Sequence, residues 1–313
     1  MRSVLFLTLV FLTFSCLHGS INFVKISTYH NVKSMRLNLS SRIVNGTKAA
    51  PRQFPHQVSL MNTRTGIHYC GGSIISIKLV LTAAHCMFHI NGTLISLREI
   101  IVVGGVLKLN ESTVTRQERG VEEFRTHPEY KSNYLQNDIA VLQLSAPFEF
   151  TPEVHSVPLP TNPIVSRTLC QVSGWGLLTT DVPVASNDLM YVDLPIRSTT
   201  ECHELLNSTY LSGMFCAGYL EGGKDACQRD SGSGMICNGI LTGIVSFGIG
   251  CGRPKFPGVY TDIFYYLNWI SENENIIILQ GFNNSRSNNG THKMPTIIIL
   301  MISFFFVLLS VIS

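Results

Sequence analysis

Short apolar runs separated by glycine, proline and asparagine dominate the chain between residues 43 and 275. Runs of this length and spacing predict short β-strands joined by turns, as in an all-β sandwich or barrel. A late segment differs, because Ile263, Leu267 and Ile270 recur at helical intervals and predict a helix over Ile263–Ile270. The clearest strand candidates are Gln57–Leu60, Ser73–Thr82, Ile100–Val103, Ile139–Leu144, Gln171–Gly174 and Ile240–Ser246.

Both ends of the chain depart from this pattern. Arg2, the apolar run Val4–Phe14 and the small residues that follow it predict a secretory signal peptide. We therefore divide the chain by composition into five segments. They are a signal peptide (1–20), a polar propeptide (21–42), a folded domain (43–275), a polar linker (276–294) and a hydrophobic tail (295–313).

The hydrophobic tail predicts a connection to the membrane. Small residues, a polar spacer and a terminal apolar run are typical of a glycolipid (GPI) anchor signal, with attachment near Asn283–Ser287. A single membrane span is an alternative, although a span usually carries Lys or Arg on its cytoplasmic side and here the apolar run reaches Ser313. An unprocessed tail on a secreted protein is the third reading. The expected location is the extracellular face of the cell membrane.

Charge and cysteine content narrow the class of protein. Lys plus Arg total 23 and Asp plus Glu total 20, so the net charge of +3 is too small to suggest a nucleic-acid partner. Of the nine cysteines, Cys16 lies at the edge of the signal peptide, and the remaining even number predicts disulfides in an oxidising compartment. Spacing alone does not give their pairing, and it lacks the close pairs expected of zinc ligands.

Asn-x-Ser/Thr sequons agree with an export route and predict glycosylation. They begin at Asn38, Asn45, Asn91, Asn110, Asn207, Asn283 and Asn289.

Three polar residues in distant motifs predict nucleophilic catalysis. His85 follows an Ala-Ala pair, Asp138 precedes Ile139-Ala140, and Ser231 stands between Asp230 and Gly232. A serine hydroxyl needs a base at neutral pH, and imidazole, with a pKa of about 6.5, is suited to that role. We predict that Ser231 is the nucleophile, His85 its general base and Asp138 the carboxylate that orients the base. The other histidines that we considered are predicted to be structural: His56, His68, His89, His127 and His155.

These residues stand in motifs that together resemble the trypsin/chymotrypsin serine proteases over about residues 42–275. The resemblance implies an all-β fold of two packed antiparallel Greek-key β-barrels with a C-terminal helix and the active site between the barrels. The motifs are Ile43-Val44-Asn45-Gly46, Cys70-Gly71-Gly72-Ser73, Thr82-Ala83-Ala84-His85-Cys86, Asp138-Ile139-Ala140, Ser173-Gly174-Trp175-Gly176, Cys227 to Gly232 and Pro257-Gly258-Val259-Tyr260.

The same resemblance implies a precursor and a set of disulfides. Cleavage after Arg42 would free the amine of Ile43, and Asp230 resembles the aspartate that receives it, since a buried ammonium needs a partner. The activator would be another trypsin-like protease or the enzyme itself. The implied disulfides are Cys70–Cys86, Cys170–Cys237, Cys202–Cys216 and Cys227–Cys251.

Specificity for arginine or lysine in protein and peptide substrates is a further implication. Asp225 resembles the floor of the trypsin specificity pocket, and Gly248 and Gly258 resemble the glycines that keep it open. Ser246, which we group with the substrate-binding residues, resembles the serine that supports the catalytic aspartate. Phe247 replaces a tryptophan as an apolar wall. We expect no cofactor and no metal, including no calcium in the Val103–Glu123 region, which lacks a convincing acidic set.

Arg229 departs from the family pattern, because it stands where the oxyanion hole usually has glycine. The donors of that hole are the backbone N–H groups of Arg229 and Ser231, so they survive the change. If the loop adopts the required geometry, the side chain points to the leaving-group side and hinders rigid protein inhibitors. If it does not, the alternative is an inactive binding or adhesion module. Ser233-Gly234, where Gly-Pro is common, is expected to loosen this loop.

Overall fold

A computed structural model describes residues 46–177 and 185–274 of the chain. The strands within these ranges are β1 (Thr47–Lys48), β2 (Gln57–Asn62), β3 (His68–Ile74), β4 (Leu79–Thr82), β5 (Ile100–Gly104), β6 (Gln117–Thr126), β7 (Ala140–Leu144), β8 (Leu169–Gly174), β9 (Met190–Pro195), β10 (Met214–Ala217), β11 (Gly234–Cys237), β12 (Ile240–Phe247) and β13 (Gly258–Asp262). The α-helix α1 spans Thr199–Leu206, and residues 267–274 are also helical.

The first six long strands close into an antiparallel barrel in the order β2-β3-β4-β7-β6-β5. β2 and β5 complete the closure, with Ser59 opposite Val103 and Asn62 opposite Ile100. Strands β4 and β7 are buried at every residue, which explains why they read as continuous apolar runs rather than as alternating patterns. Their side chains form one core with those of the neighbouring strands.

The second group of strands is ordered β1-β9-β8-β11-β12-β13-β10. An isolated bridge between Ile196 and Ala217 joins the end of β9 to β10. Two backbone hydrogen bonds flank this bridge, from Arg197 N to Cys216 O (2.9 Å) and from Gly218 N to Pro195 O (3.0 Å). With this closure, strands β8 to β13 follow the same cyclic order as β2 to β7. The prediction of two antiparallel barrels is therefore confirmed.

Two of the predicted elements differ from the structure by more than two residues. The run Ser73–Thr82 is the turn region of a hairpin, because Ser73 pairs with Leu81 and the chain reverses near Ser76, where Leu79 N donates to Ser76 O over 3.4 Å. The helix predicted over Ile263–Ile270 begins at residue 267 and continues through residue 274. Its first turn is replaced by a tighter one, in which Tyr266 N donates to Ile263 O over 3.1 Å.

Helix α1 was not among the predicted elements, although the sequence carries its signal. Ser198 caps the helix, and Glu201 completes a reciprocal capping box with it. The disulfide Cys202–Cys216 then attaches the helix to β10. A Ser-x-x-Glu pattern at residues 198–201 would have predicted this helix start.

The predicted export and anchoring segments lie outside the described residues, as do Arg42, Ile43, Asn38, Asn45, Asn283 and Asn289. Within residues 46–177 and 185–274, no helix combines the length and hydropathy needed to cross a membrane.

Candidate active site

His85 and Asp138 come from neighbouring strands of the first barrel. His85 lies in a single 3₁₀ turn, Ala84–Met87, just after β4, and Asp138 lies just before β7. Because β4 pairs with β7, with Thr82 opposite Ala140, the two side chains reach each other. The distance from His85 Nδ1 to Asp138 Oδ2 is 2.7 Å, and the His85 backbone N–H donates to Asp138 Oδ1 over 2.9 Å.

Asp138 is almost completely buried and is held from the second barrel as well. Ser246 Oγ donates to Asp138 Oδ2 over 2.6 Å, and Thr261 Oγ1 donates to the Asp138 carbonyl oxygen over 2.8 Å. Burial acts to lower the pKa of His85, but the charge of Asp138 and its hydrogen bond outweigh burial and raise this pKa above its ordinary 6.5. The pair is thus arranged to stabilise a protonated imidazole during proton transfer.

Ser231 lies in the loop between β10 and β11 and abuts the segment that carries His85. Its carbonyl oxygen accepts from Gly71 N over 2.8 Å and lies 3.7 Å from Sγ of Cys86, the residue after His85. Gly232 has a φ of +83°, and a Cβ there would lie 3.2 Å from Ala83 N. Within the described residues, Ser231 Oγ makes no hydrogen bond, so the structure places the serine beside the His85 turn without a direct bond between them.

A cavity of about 220 Å³ opens beside Ser231. Asp225 lines it and is 3% exposed; its Oδ2 accepts from Gly252 N over 3.0 Å, whereas its Oδ1 has no partner within the described residues. Burial raises the pKa of Asp225 to about 7. A Cβ at Gly258 would lie 3.1 Å from that free Oδ1, so a larger residue there would obstruct the carboxylate. Ser246, Phe247 and Gly248 also line the cavity.

Comparison with known proteins agrees with this geometry. The model of the trypsin family matches residues 43–270. The chain belongs to the trypsin family. It is a trypsin-like serine endopeptidase, and its substrates are proteins and peptides.

Three trypsins illustrate the extent of the similarity. Trypsin I-P1 of Gallus gallus is 38% identical over 229 residues, which cover 73% of this chain and 88% of that protein. Trypsin-1 of Gadus morhua is 39% identical over 233 residues, which cover 74% and 90% of the two chains. Trypsin-3 of Homo sapiens is 37% identical over 232 residues, which cover 74% and 72%.

The disulfides of the protease are the four pairs that the resemblance implies. Cys70–Cys86 joins β3 to the His85 turn, and Cys227–Cys251 joins the loop that contains Ser231 to the loop after β12. Cys170–Cys237 connects β8 with β11, and Cys202–Cys216 attaches α1. Three of these four bonds therefore lie in the second barrel.

Arg229 adopts the backbone conformation that glycine would provide. Its φ is +74°, in the left-handed region that a non-glycine residue enters only at a cost, and its side chain is exposed. Its carbonyl oxygen accepts from Nε2 of His68 over 3.0 Å, and Ser59 Oγ is 2.7 Å from Nδ1 of the same ring. His68 is therefore a structural histidine, as predicted, and it holds the loop of the nucleophile. Within the described residues, the backbone N–H groups of Arg229 and Ser231 donate to no acceptor.

Asp230 is completely buried and is not among the residues that line the cavity. Its carboxylate accepts from Gly176 N over 2.8 Å and from Cys227 N over 2.9 Å. Burial raises its pKa to about 7. A Cβ on Gly174 or Gly176 would collide with this carboxylate, so both glycines of the Ser-Gly-Trp-Gly motif are needed to make room for it.

Sequence reasoning missed Gln57 and misjudged Ser233. The expectation that Ser233-Gly234 loosens the nucleophile loop is wrong, because Ser233 is completely buried and its Oγ accepts a 3.0 Å hydrogen bond from Gln57 Nε2. Gln57 is separated from Ser233 by 176 positions in the sequence, so no local pattern could have indicated the contact.

Proposed function

We propose that this protease cleaves peptide bonds after arginine and lysine, with Ser231 as nucleophile, His85 as general base and Asp138 as the orienting carboxylate. The observation that carries the proposal is the unpaired Oδ1 of Asp225, buried in a cavity that Ser231 also lines. A buried carboxylate with one unpaired oxygen and no counter-ion favours binding of a cation, and the guanidinium of arginine can donate two hydrogen bonds to it.

The chemistry follows from the positions of the donors. Ser231 Oγ attacks the carbonyl carbon while its proton passes to Nε2 of His85, and the resulting imidazolium is stabilised by the 2.7 Å contact with Asp138. The oxyanion accepts hydrogen bonds from the backbone N–H groups of Arg229 and Ser231, which donate to no other acceptor within the described residues. His85 then returns the proton to the leaving amine, and water repeats the sequence on the acyl-enzyme.

Activation by cleavage at Arg42-Ile43 is the second part of the proposal. The completely buried carboxylate of Asp230 supports it, since two N–H donors leave it short of a cationic partner. The new ammonium of Ile43 would supply that partner and charge Asp230. Replacing Arg42 with Gln is expected to leave the secreted protein inactive, and full activity of that variant would contradict the activation step.

Arg229 is proposed to act as a selective barrier. Its φ of +74° supports an intact oxyanion hole, and we propose that its exposed side chain points to the leaving-group side. Flexible peptides can bend around this side chain, whereas rigid inhibitor loops cannot. The same observation weakens the case for an inactive binding module, which depended on distortion of the loop.

Export and anchoring complete the proposal. We infer that residues 1–20 direct secretion, residues 21–42 form a propeptide and residues 276–313 attach the protease domain to the outer face of the membrane by a glycolipid. Asn91, Asn110 and Asn207 are exposed, which supports their glycosylation. Phospholipase C is expected to release the enzyme from cells; retention after this treatment would favour a membrane span.

Labelling and turnover test the catalytic proposal directly. Protein processed at Arg42 should react with a fluorophosphonate and cleave an arginine peptide, and Ser231→Ala should lose both activities. A matched control is Ser145→Ala, which removes an exposed serine distant in sequence from the site. If correctly processed protein shows neither signal, the binding-module alternative is correct.

A further inference from the structure

The side-chain amide of Gln57 is buried and connects both barrels to the loop of residues 218–233, which contains Ser231 and is called the nucleophile loop below. Gln57, on β2 of the first barrel, donates from Nε2 to Ser233 Oγ over 3.0 Å. Its Oε1 accepts from Oγ of Ser173, on β8 of the second barrel, also over 3.0 Å. Both serines are completely buried. A serine hydroxyl can either donate or accept, so the two serines do not by themselves orient the amide. Its orientation is set by the Val58 carbonyl oxygen, which can only accept and receives a further hydrogen bond from Nε2 over 3.3 Å.

The backbone around Ser233 is attached on two sides. Ser233 N donates to Asp230 O over 3.0 Å, and Val245 N, on β12, donates to Ser233 O over 2.9 Å. On the other side, Gly71 N, on β3, donates to Ser231 O over 2.8 Å. The segment that contains the nucleophile is therefore bound to strands of both barrels, and the side chain of Ser233 adds a third attachment.

The surroundings are shaped to accept this hydroxyl. A Cβ on Gly71 would collide with Ser233 Oγ, and a Cβ on Gly174 would lie 3.3 Å from it. The next position shows the same adjustment, since a Cβ on Gly234 would lie 2.6 Å from Leu241 Cδ1. The room that a proline would need at position 234 is thus occupied. The Ser-Gly pair is built into the interface and is not a tolerated surface change.

We propose that Ser233 is a positioning residue of this protease, whose hydroxyl, held by Gln57, fixes the nucleophile loop and its two free N–H groups against the first barrel. The inference rests on the proposed role of Ser231 as nucleophile. Without the hydroxyl, Nε2 of Gln57, which is 3% exposed, keeps only the longer 3.3 Å hydrogen bond to Val58 O, which favours rearrangement of the loop or of β2. Displacement of the loop would move the oxyanion donors away from the developing charge.

Ser173 provides a matched control for Ser233. Ser233→Ala and Ser173→Ala each remove one completely buried hydroxyl that forms a 3.0 Å hydrogen bond with Gln57, but only Ser233 belongs to the nucleophile loop. Both variants should lower the melting temperature to a similar extent. For an arginine peptide, Ser233→Ala should lower kcat about tenfold with little change in KM, whereas Ser173→Ala should lower kcat less than about twofold.

Hydrogen exchange supplies a readout that does not depend on activity. Amides of residues 227–234 are expected to exchange about tenfold faster in Ser233→Ala than in Ser173→Ala, because only the first change releases the loop from Gln57. Ser233→Gly, which also removes the hydroxyl, is the second variant should the alanine form fail to fold. Equal kcat and equal exchange in the two variants would overturn the role of Ser233. If the wild-type protein were inactive, the proposed function would fail, and exchange alone would still decide this inference.

Discussion

The first barrel positions His85 and Asp138 at the ends of two paired strands, whereas the second barrel positions Ser231 and Asp225 in a loop. His85 and Asp138 flank β4 and β7, whose register of Thr82 opposite Ala140 sets the distance between them. Ser231 and Asp225 both lie in the loop between β10 and β11. The two barrels have the same cyclic strand order, so this contrast does not come from topology.

Loops need attachments that strands already possess. The loop of Ser231 is held by the Cys227–Cys251 disulfide, by the bonds of Asp230 to Gly176 and Cys227, and by the contact of His68 with Arg229. Changes near His85 therefore act on the chemistry within a rigid frame of paired strands. Changes near Ser231 act through the attachments of a loop, which can loosen while the barrel remains folded.

Loss of the Asp138 carboxylate, which the paired strands hold against His85, is expected to lower the reaction rate most. Asp138→Asn should lower kcat by about 10⁴-fold at neutral pH, because the amide favours the wrong tautomer of His85 and cannot stabilise the imidazolium. Ser246→Ala, which removes a neighbouring donor but keeps the carboxylate, is the control and should cost far less. Steady-state kinetics on an arginine peptide measure both, and similar losses in the two variants would contradict the role of Asp138.

A smaller loss is expected when Asp225, in the loop between β10 and β11, is changed. Asp225→Asn should lower kcat/KM for an arginine peptide by about 10³-fold, since truncating one partner of a buried charge pair costs several kcal/mol. Reaction of Ser231 with a small fluorophosphonate should change little, because that probe needs no cation site. Glu221→Gln, on the same loop but exposed, serves as the control. Unchanged arginine cleavage in Asp225→Asn would exclude this pocket as the source of specificity.

A smaller effect is expected from the exposed side chain of the same loop. Arg229→Gly should strengthen binding of a rigid trypsin inhibitor by about tenfold or more, because removing steric overlap restores about 1–3 kcal/mol. Cleavage of a short arginine peptide should change less than about threefold. Inhibition constants and peptide kinetics measured on the same preparation separate the two, and a large gain in peptide cleavage would show that Arg229 distorts the oxyanion hole.

Buried titratable groups in the two barrels should make folding stability depend on pH in opposite directions. Burial lowers the pKa of His56 and of His68, in the first barrel, to about 4. Their unfolded forms bind more protons than the folded ones below pH 6.5, so stability falls as the pH drops from 6.5 towards 4. Asp225 and Asp230, in the second barrel, have pKa values raised by burial to about 7. Before cleavage at Arg42 supplies an ammonium to Asp230, the folded forms of both residues bind more protons than the unfolded ones, so stability falls as the pH rises from 3.8 towards 7.

His56 isolates the acid side of this contrast. Its Nε2 has no partner within the described residues, and its ring contacts Phe54 edge-on at 6.2 Å between centroids. The free energy of unfolding falls between pH 7 and pH 4, and His56→Leu should make this fall smaller by about 3 kcal/mol. Urea denaturation at both values measures it; His155→Leu, at an exposed position, is the control. An unchanged acid-side slope in His56→Leu would show that another group is responsible.

Much of the fold and most of the site follow from local sequence. The apolar runs at Gln57, Ile100, Ile139 and Ile240 place strands because fully buried strands need little polar alternation. The motifs around His85, Asp138, Ser231 and Asp225 name the chemistry and, through the family resemblance, the disulfide pairs. Where local rules failed, the cause was geometric. An apolar run at Ser73–Thr82 contains a turn, and the first turn of the last helix is tighter than its periodicity suggested.

Tertiary structure alone decided which groups support the nucleophile loop. Arg229 has a positive φ, and its carbonyl oxygen is bonded to His68. Hydrogen bonds also connect Gln57 with Ser233 and with Ser173. Each of these bonds joins residues that lie more than a hundred positions apart in the sequence. The sequence by itself determined the strand positions and the candidate site residues, because hydrophobic period and motif depend only on residues that are near one another in the chain. The partners of buried polar groups are set by how two barrels pack, and that depends on the whole chain at once.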